Sequence, residues 1–436
     1  MKMIVKKERL IELVCHEDWR VRRASAEALE EFFPGSDNVI KHLLQAIDTF
    51  RHKEYILSPA VRIKHFTPTE KDLKEILRLF IELEPETGDQ SANLKWHLQN
   101  SLLESPFQLL EKNYNLLASN EKLLEIYEIV KNREQVKYLE ADILWDELVE
   151  LCNRYRNKKM ERDDSSYCGL LVKSLSQKQK GEKIKHKVIM YLSQDTDVNY
   201  HLELFLVELA GNLKLRETVP YLFRILIDSD FRDLVRSSCS ISLGQIGTPE
   251  VVEKIGSLYR SYKDLKNVLA ETFKYIPYDY SEEMAVQLLK SETDPETGTF
   301  LAGALCDIFS IKSSDMIIDI IRKKQYDPSI MGLLDYLIPV YVYHNKTIDN
   351  LAELERRERE FQDERLDTHP LFKLRKHPKL SKDHDEIEDE ESDSFDEDDI
   401  EDIEDSRERK KVMPMSRIPS KKRNKSKKKK KKSRKR

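Results

Sequence analysis

The chain has 436 residues, of which 39% are hydrophobic and 36% charged, with only 11 glycines and a formal net charge of −5. That length suits two or three domains or one extended array, and the charged share stands well above the usual quarter. So few glycines leave little material for hairpins, nucleotide loops or sharp strand turns, which sets aside β-rich and phosphate-loop folds in favour of an all-α one.

The N-terminal stretch MKMIVKKERLIELV alternates apolar and charged residues and lacks the apolar core of a signal peptide. Over 17–47, Val21-Arg22 opens a helix that places Leu29 and Phe32 on one face. A Pro34-Gly35-Ser36-Asp37 turn follows, then a second apolar helix through Val39, Ile40, Leu43 and Leu44. Residues 69–84, 91–104, 106–118, 121–131 and 133–156 read as helices. The last is the clearest, with Val136, Leu139, Ile143, Leu144, Leu148 and Leu151 at helical spacing and Trp145 beside them. Residues 153–187 are rich in Lys and Arg and carry a turn signal at Asp163–Ser166. They read as a basic junction between an N-terminal helical segment, 1–152, and a second segment, 188–345.

That second segment repeats. Cys239, Leu243 and Ile246 share one helix face, and the triplet returns about every 30 residues as Leu269, Phe273, Ile276, then Leu301, Leu305, Ile308, then Ile330, Leu334, Leu337. Turns are expected at Gly247-Thr248-Pro249, Pro277-Tyr278-Asp279, Lys312-Ser313-Ser314 and Pro339. After most of them comes a second apolar helix, such as Val251, Val252, Ile255 and Leu258. Residues 201–226 fit more loosely, with Phe205 and Leu209 in register but Asn212 in third place. Pro-Glu-Thr-Gly occurs at 85–88 and again at 295–298, each copy expected between two helical stretches. A two-helix unit of this size cannot bury its own apolar stripe, so such units stack. The phrases DWRVRRASAEALE and LVRSSCSISLGQIGTPEVVEKI resemble HEAT-like repeats, most of all the short subtype of the phycobilisome lyases. The resemblance covers about 17–47 and 201–345 and implies an α-solenoid of HEAT-like or armadillo-type hairpins.

Residues 346–374 read as a charged helix that caps the stack. From 375 to 436 the composition turns acidic, then basic. Residues 381–405 carry sixteen Asp or Glu against one Lys, and 406–436 carry eighteen Lys or Arg against one Glu. Such a tail has too few apolar residues to offset the entropy of ordering and is expected to be disordered.

For chemistry the sequence offers little. Five widely spaced cysteines without a CxxC point to a reducing compartment. The HEAT-like iron hydroxylase uses several His-Glu pairs, whereas this chain has one, His16-Glu17. No metal-ligand spacing and no nucleotide or nucleophile motif is present. No catalytic residue, metal or cofactor is assigned. Arg20, Arg22 and Arg23 are candidates for holding a protein partner on the concave face. The competing and favoured reading is that Arg22, like Arg236, braces a turn, as Arg at that position does in these repeats. The tail supplies candidate nucleic-acid contacts: Lys421, Lys422, Arg423, Lys425, Lys427, Lys428, Lys429, Lys430, Lys431, Lys432, Arg434, Lys435 and Arg436.

The expectation is therefore a non-enzymatic protein–protein interaction scaffold. A partner lies along its concave face, and a polybasic tail contacts RNA, DNA or the ribosome. Two alternatives stay open: nucleic-acid binding by the solenoid itself, as in HEAT-like DNA glycosylases, and a lyase-like enzyme subunit. No stretch is long and apolar enough to span a membrane. The location expected is cytoplasmic, or nuclear or nucleolar in a eukaryote.

Overall fold

The computed structural model describes residues 2–34, 38–50, 57–83, 89–132, 139–156, 158–177, 182–194, 199–228 and 233–368. Residues 35–37 of the expected Pro-Gly-Ser-Asp turn, the first Pro-Glu-Thr-Gly copy and the tail from 375, with its expected disorder, fall outside these residues. Backbone contacts gather Met1–Phe372 into one unit. Its helices, in chain order, are α1 (Lys7–Leu13), α2 (Trp19–Phe32), α3 (Val39–Phe50), α4 (Leu57–Ile63), α5 (Glu70–Glu82), α6 (Asp89–Leu103), α7 (Phe107–Lys112), α8 (Tyr114–Ser119), α9 (Leu124–Asn132), α10 (Ala141–Arg154) and α11 (Arg162–Gln177). They continue with α12 (Glu182–Ser193), α13 (Tyr200–Asn212), α14 (Val219–Asp228), α15 (Asp233–Ile246), α16 (Pro249–Ser261), α17 (Lys266–Thr272), α18 (Asp279–Ser291), α19 (Pro295–Asp307), α20 (Ser314–Arg322), α21 (Leu333–Tyr343) and α22 (Leu351–Thr368). Among the described residues no strand forms, and the fold is an all-α solenoid of HEAT-like hairpins.

The repeat triplets are its core. Cys239, Leu243, Leu269, Phe273, Ile276, Leu301, Leu305 and Ile308 are each fully buried. Stacking of α13, α15, α17, α19 and α21 forms one closely packed layer, and α12, α14, α16, α18 and α20 back it. Each helix of the packed layer pairs more closely with the helix before it than with the one after it, as α12 with α13, α14 with α15, α18 with α19 and α20 with α21. The natural unit therefore ends with the Val-Arg-type helix; the sequence phrase had joined that helix to the next unit.

Small residues set the closeness of the packed layer. A Cβ on Gly244 of α15 would stand 2.3 Å from Cβ of Tyr275, and one on Gly211 would stand 2.7 Å from Oγ of Ser242. Polar ties run between neighbouring repeats: Ser240 and Thr272 hydroxyls lie 2.8 Å apart, and Ser242 donates to the Val207 carbonyl at 2.8 Å. Gly247 ends α15 at φ 52°, a left-handed turn that suits glycine.

Several expectations change. The last triplet is misplaced: Ile330 precedes α21, and Pro339, expected as a breaker, lies inside that helix. The end of α21 is fixed by Lys346 N–H donating to the Tyr341 carbonyl (2.8 Å), as Ser310 donates to Leu305 (2.9 Å) in α19. Tyr341 is thus the counterpart of Leu305. Residues Leu333, Leu334, Leu337, Ile338, Val340 and Tyr341 are all buried, so the apolar pattern of α21 carries no phase. The expected helix 106–118 breaks at Asn113, whose side-chain amide donates to the Leu109 carbonyl at 2.7 Å in place of helix continuation. The turn expected at Asp163–Ser166 is instead the first turn of α11, where acidic and small polar residues suit the helix N-terminus. Within that basic stretch Cys168, Leu171, Val172 and Leu175 are buried. The second Pro-Glu-Thr-Gly does not sit between helices; it starts α19, with Asp294 accepting from Thr297 N–H at 3.0 Å.

The layer continues past its last repeat into the first. α2 packs on α21 on one side and on α4 on the other, and α4 packs on α6. N-terminal residues run across this join. Ile4 N–H donates to the Pro277 carbonyl (3.0 Å) and Asp279 N–H to the Lys2 carbonyl (3.0 Å). Lys6 N–H donates to Tyr343 Oη (2.6 Å), and Arg9 reaches the carbonyls of Val342 (3.0 Å) and Tyr343 (3.2 Å). Val5 is 3% exposed.

Two substitutions test this packing. Gly244→Ala should cost about 2 kcal/mol, because the added methyl overlaps Tyr275. Gly298→Ala, where nothing lies within 4 Å, should be neutral or stabilising by up to about 1 kcal/mol through helix propensity. Denaturant unfolding of both variants decides; equal effects would contradict the close approach of α15 to Tyr275.

Candidate partner-binding surface

The three arginines of α2 have different surroundings. Asp18 caps the helix by accepting from Arg20 N–H at 2.9 Å. The Arg20 guanidinium folds back onto Asp18 (2.7 Å) and reaches Asp335 (3.3 Å) and Glu355 (2.9 Å), tying the first repeat to α21 and α22. These carboxylates, Asp18 foremost, raise its already high pKa. Arg22 is 1% exposed. It donates to the carbonyls of His16 and Glu17, both at 2.8 Å, and lies 4.1 Å from the Phe50 ring centre. Its guanidinium is thus used within the fold, and burial lowers its pKa. Arg23 stands between the rings of Trp19 (5.2 Å) and Tyr336 (4.6 Å), and its buried Nε finds no hydrogen-bond partner. The candidate lysines and arginines at 421–436 lie outside the described residues.

Around Arg23 the structure assembles residues that the sequence did not single out. Two positions after the core anchors Leu29, Leu243, Phe273 and Leu305 stand Glu31, Gln245, Tyr275 and Asp307. Register alone could have found them. Asp307 feels Glu27, Lys274, Arg23 and Glu31, and Glu31 feels Glu30, Lys274, Arg62 and Glu27. Tyr336 feels Arg23, Asp307, Glu27 and Lys274. The ends of α2, α19 and α21 and the turn after α17 thus converge on one mixed polar surface. Arg62 and His65, on and just after α4, continue it: Arg62 pairs with Glu30 (2.5 Å) and Glu27 (3.2 Å), and His65 with Glu30 (3.0 Å).

Enclosure perturbs these groups. Burial, with Glu27 nearby, pushes Asp307 up to about 7. Burial and Glu30 push Glu31 to about 7. Glu31 is nevertheless open to solvent at its surface, which screens its charge, so Asp307 carries the firmer effect. Burial and Lys64 lower His65 to about 4. Among the described residues no group of His, Cys, Asp and Glu is arranged to hold a metal ion. Cys15 Sγ contacts the His42 carbonyl at 3.6 Å, and His16 Nδ1 accepts from Asp18 N–H at 3.1 Å, so the Cys15-His16 pair is engaged locally. The surface thus combines mixed charge, the aromatic faces of Trp19 and Tyr336, and buried Nε atoms of Arg23 and Arg62 without a hydrogen-bond partner.

Asp307 gives a pH test with a definite sign. Its folded pKa is above the unfolded value near 4, so the folded state holds the proton more tightly. The contribution is most favourable below about pH 4 and is lost as pH rises to about 7. Asp307→Asn should therefore be close to neutral at pH 4.5 and stabilise the chain at pH 8 by on the order of 2 kcal/mol. Denaturation curves at the two pH values check this, and an equal effect at both would show that Asp307 ionises freely.

The HEAT repeat family model matches residues 8–36, which span α1 and α2. That match pairs α1 with α2, the same phase as the hairpins farther along. No curated protein matches the chain. A HEAT repeat at 8–36, continued by stacked helical hairpins whose last members pack back onto it, makes the chain a HEAT-like repeat protein.

Proposed function

We propose that the protein is a non-enzymatic scaffold. The inner helix faces hold a segment of a protein partner, and the polybasic run at 421–436 contacts nucleic acid or a nucleoprotein. HEAT repeats in general serve protein interactions, and the family is generally non-enzymatic. The observation that supports the reading is the surface shared by Arg23, Glu27, Glu31, Lys274, Asp307 and Tyr336. Glu31 and Asp307 in it occupy repeat-equivalent positions, and the buried Arg23 Nε is left without a hydrogen-bond partner. Among the described residues no helix is long and apolar enough to cross a membrane. The strongly basic run supports the second half: phosphate neutralisation by Lys and Arg is sequence-independent and salt-dependent.

Affinity capture from source-cell extract tests both halves, using the full chain with and without nuclease. Charge reversal at Glu27 and Glu31 to Lys should abolish a discrete nuclease-resistant protein and spare nucleic-acid capture. Replacing Lys427–Lys432 by Ser should do the opposite and flatten the salt dependence of single-stranded RNA binding by about six counterions at a slope of about 0.7 each. If every retained protein disappears with nuclease, the inner surface is not the recognition module.

A further inference from the structure

We propose that the inner circuit of helices opens at the junction between α6 and α11, and that this junction gates access to the inner surface. The inference rests on the scaffold reading above and adds its regulation. The circuit runs α11, α13, α15, α17, α19, α21, α2, α4, α6, each member packed on the next. Among the described residues, Lys173 Nζ of α11 meets Glu104 Oε2, just past α6, at 2.7 Å and so links the circuit back to α11. His65 senses both of these charges, which brings the end of α4 to the same place.

This junction is less closely packed than the others. Elsewhere successive helices of the circuit pack extensively on one another. Among the described residues, no helix within 57–132 packs extensively on a helix within 139–212. The link itself is open to water: the Lys173 and Glu104 side chains are 38% and 34% exposed. A pair so exposed contributes little and weakens further with salt. The two flanking groups of helices also carry unfinished surface. Of the seven large apolar residues that stand exposed among those described, five lie here: Trp96, Leu116, Leu124, Ile143 and Met190. By contrast, the α21–α2 junction is held by Arg20, by Arg9 and by Lys6 N–H on Tyr343 Oη, so it is the fixed side of the circuit.

Distance measurements between nitroxide labels in the full chain test this without any partner, so their failure is separate from failure of the capture experiment. In a Cys15→Ser background, labels at Asn93→Cys on α6 and Ser166→Cys on α11 report the junction. Labels at Asn212→Cys and Ser237→Cys report the packed α13–α15 pair. The junction pair should give two distances, and Glu104→Lys should raise the longer population about fivefold, since it replaces an exposed attraction by a repulsion. The control pair should give one narrow distance in both backgrounds. A single narrow junction distance that Glu104→Lys leaves unchanged would overturn the proposal. Equal broadening of the control pair would overturn it too, because the motion would then belong to the whole array.

Discussion

A helical hairpin of about 30 residues exposes an apolar stripe on each side, and every repeat must find a neighbour for both. Solenoids ordinarily meet this demand at their ends with polar capping helices. Here the first repeat and the last inner helix cover each other. The N-terminal HEAT hairpin does not begin a stack; it lies between α21 and α4. Arg20 reaching Asp335 and Glu355, and Arg9 reaching the carbonyls that end α21, hold that join. The mixed polar surface around Arg23 and Asp307 exists only because of it, since its residues come from both ends of the folded body.

Much of this was legible in the amino-acid order. The triplets from Cys239 to Ile308 identified buried helix faces because each helix has one apolar side and one polar side, so periodicity fixes its phase. α21 is apolar nearly all round, and there the same argument began the triplet Ile330, Leu334, Leu337 seven residues too early, at Ile330 where Leu337 is the counterpart of Leu301. Composition misled at Asp163–Ser166, since residues that favour turns also favour helix starts. Asn113 broke a helix whose apolar pattern ran straight through it. The residues that matter most for the inner surface were hidden for another reason. Glu31 and Asp307 look like ordinary surface carboxylates until closure brings together positions nearly three hundred residues apart. The contacts of Ile4 and Lys6 have no local signature at all, being backbone bonds to distant turns.

Of the arginines proposed from sequence, one position illustrates how the same residue type serves two ends. Arg22 is consumed by the carbonyls of its own turn. Arg23, one residue later on the helix, is rotated by about 100° and lies instead between the rings of Trp19 and Tyr336. A tightly buried guanidinium fixes the geometry from which its neighbour is presented. The glycine and serine contacts at Gly244, Gly211 and Ser242 do comparable work farther round, drawing neighbouring repeats close together.

The join of α2 with α21 also has a consequence for biosynthesis. At typical translation rates the helix bearing Arg20 leaves the ribosome roughly 15–60 s before the helix bearing Asp335. Through that interval one apolar side of the first hairpin has no neighbour, and the contacts that will cover it have the highest sequence separation in the fold. Topology of this kind slows folding and favours aggregation of the waiting segment. Nascent chains of this protein should therefore depend on chaperone occupancy of the first repeat until the last one has been made.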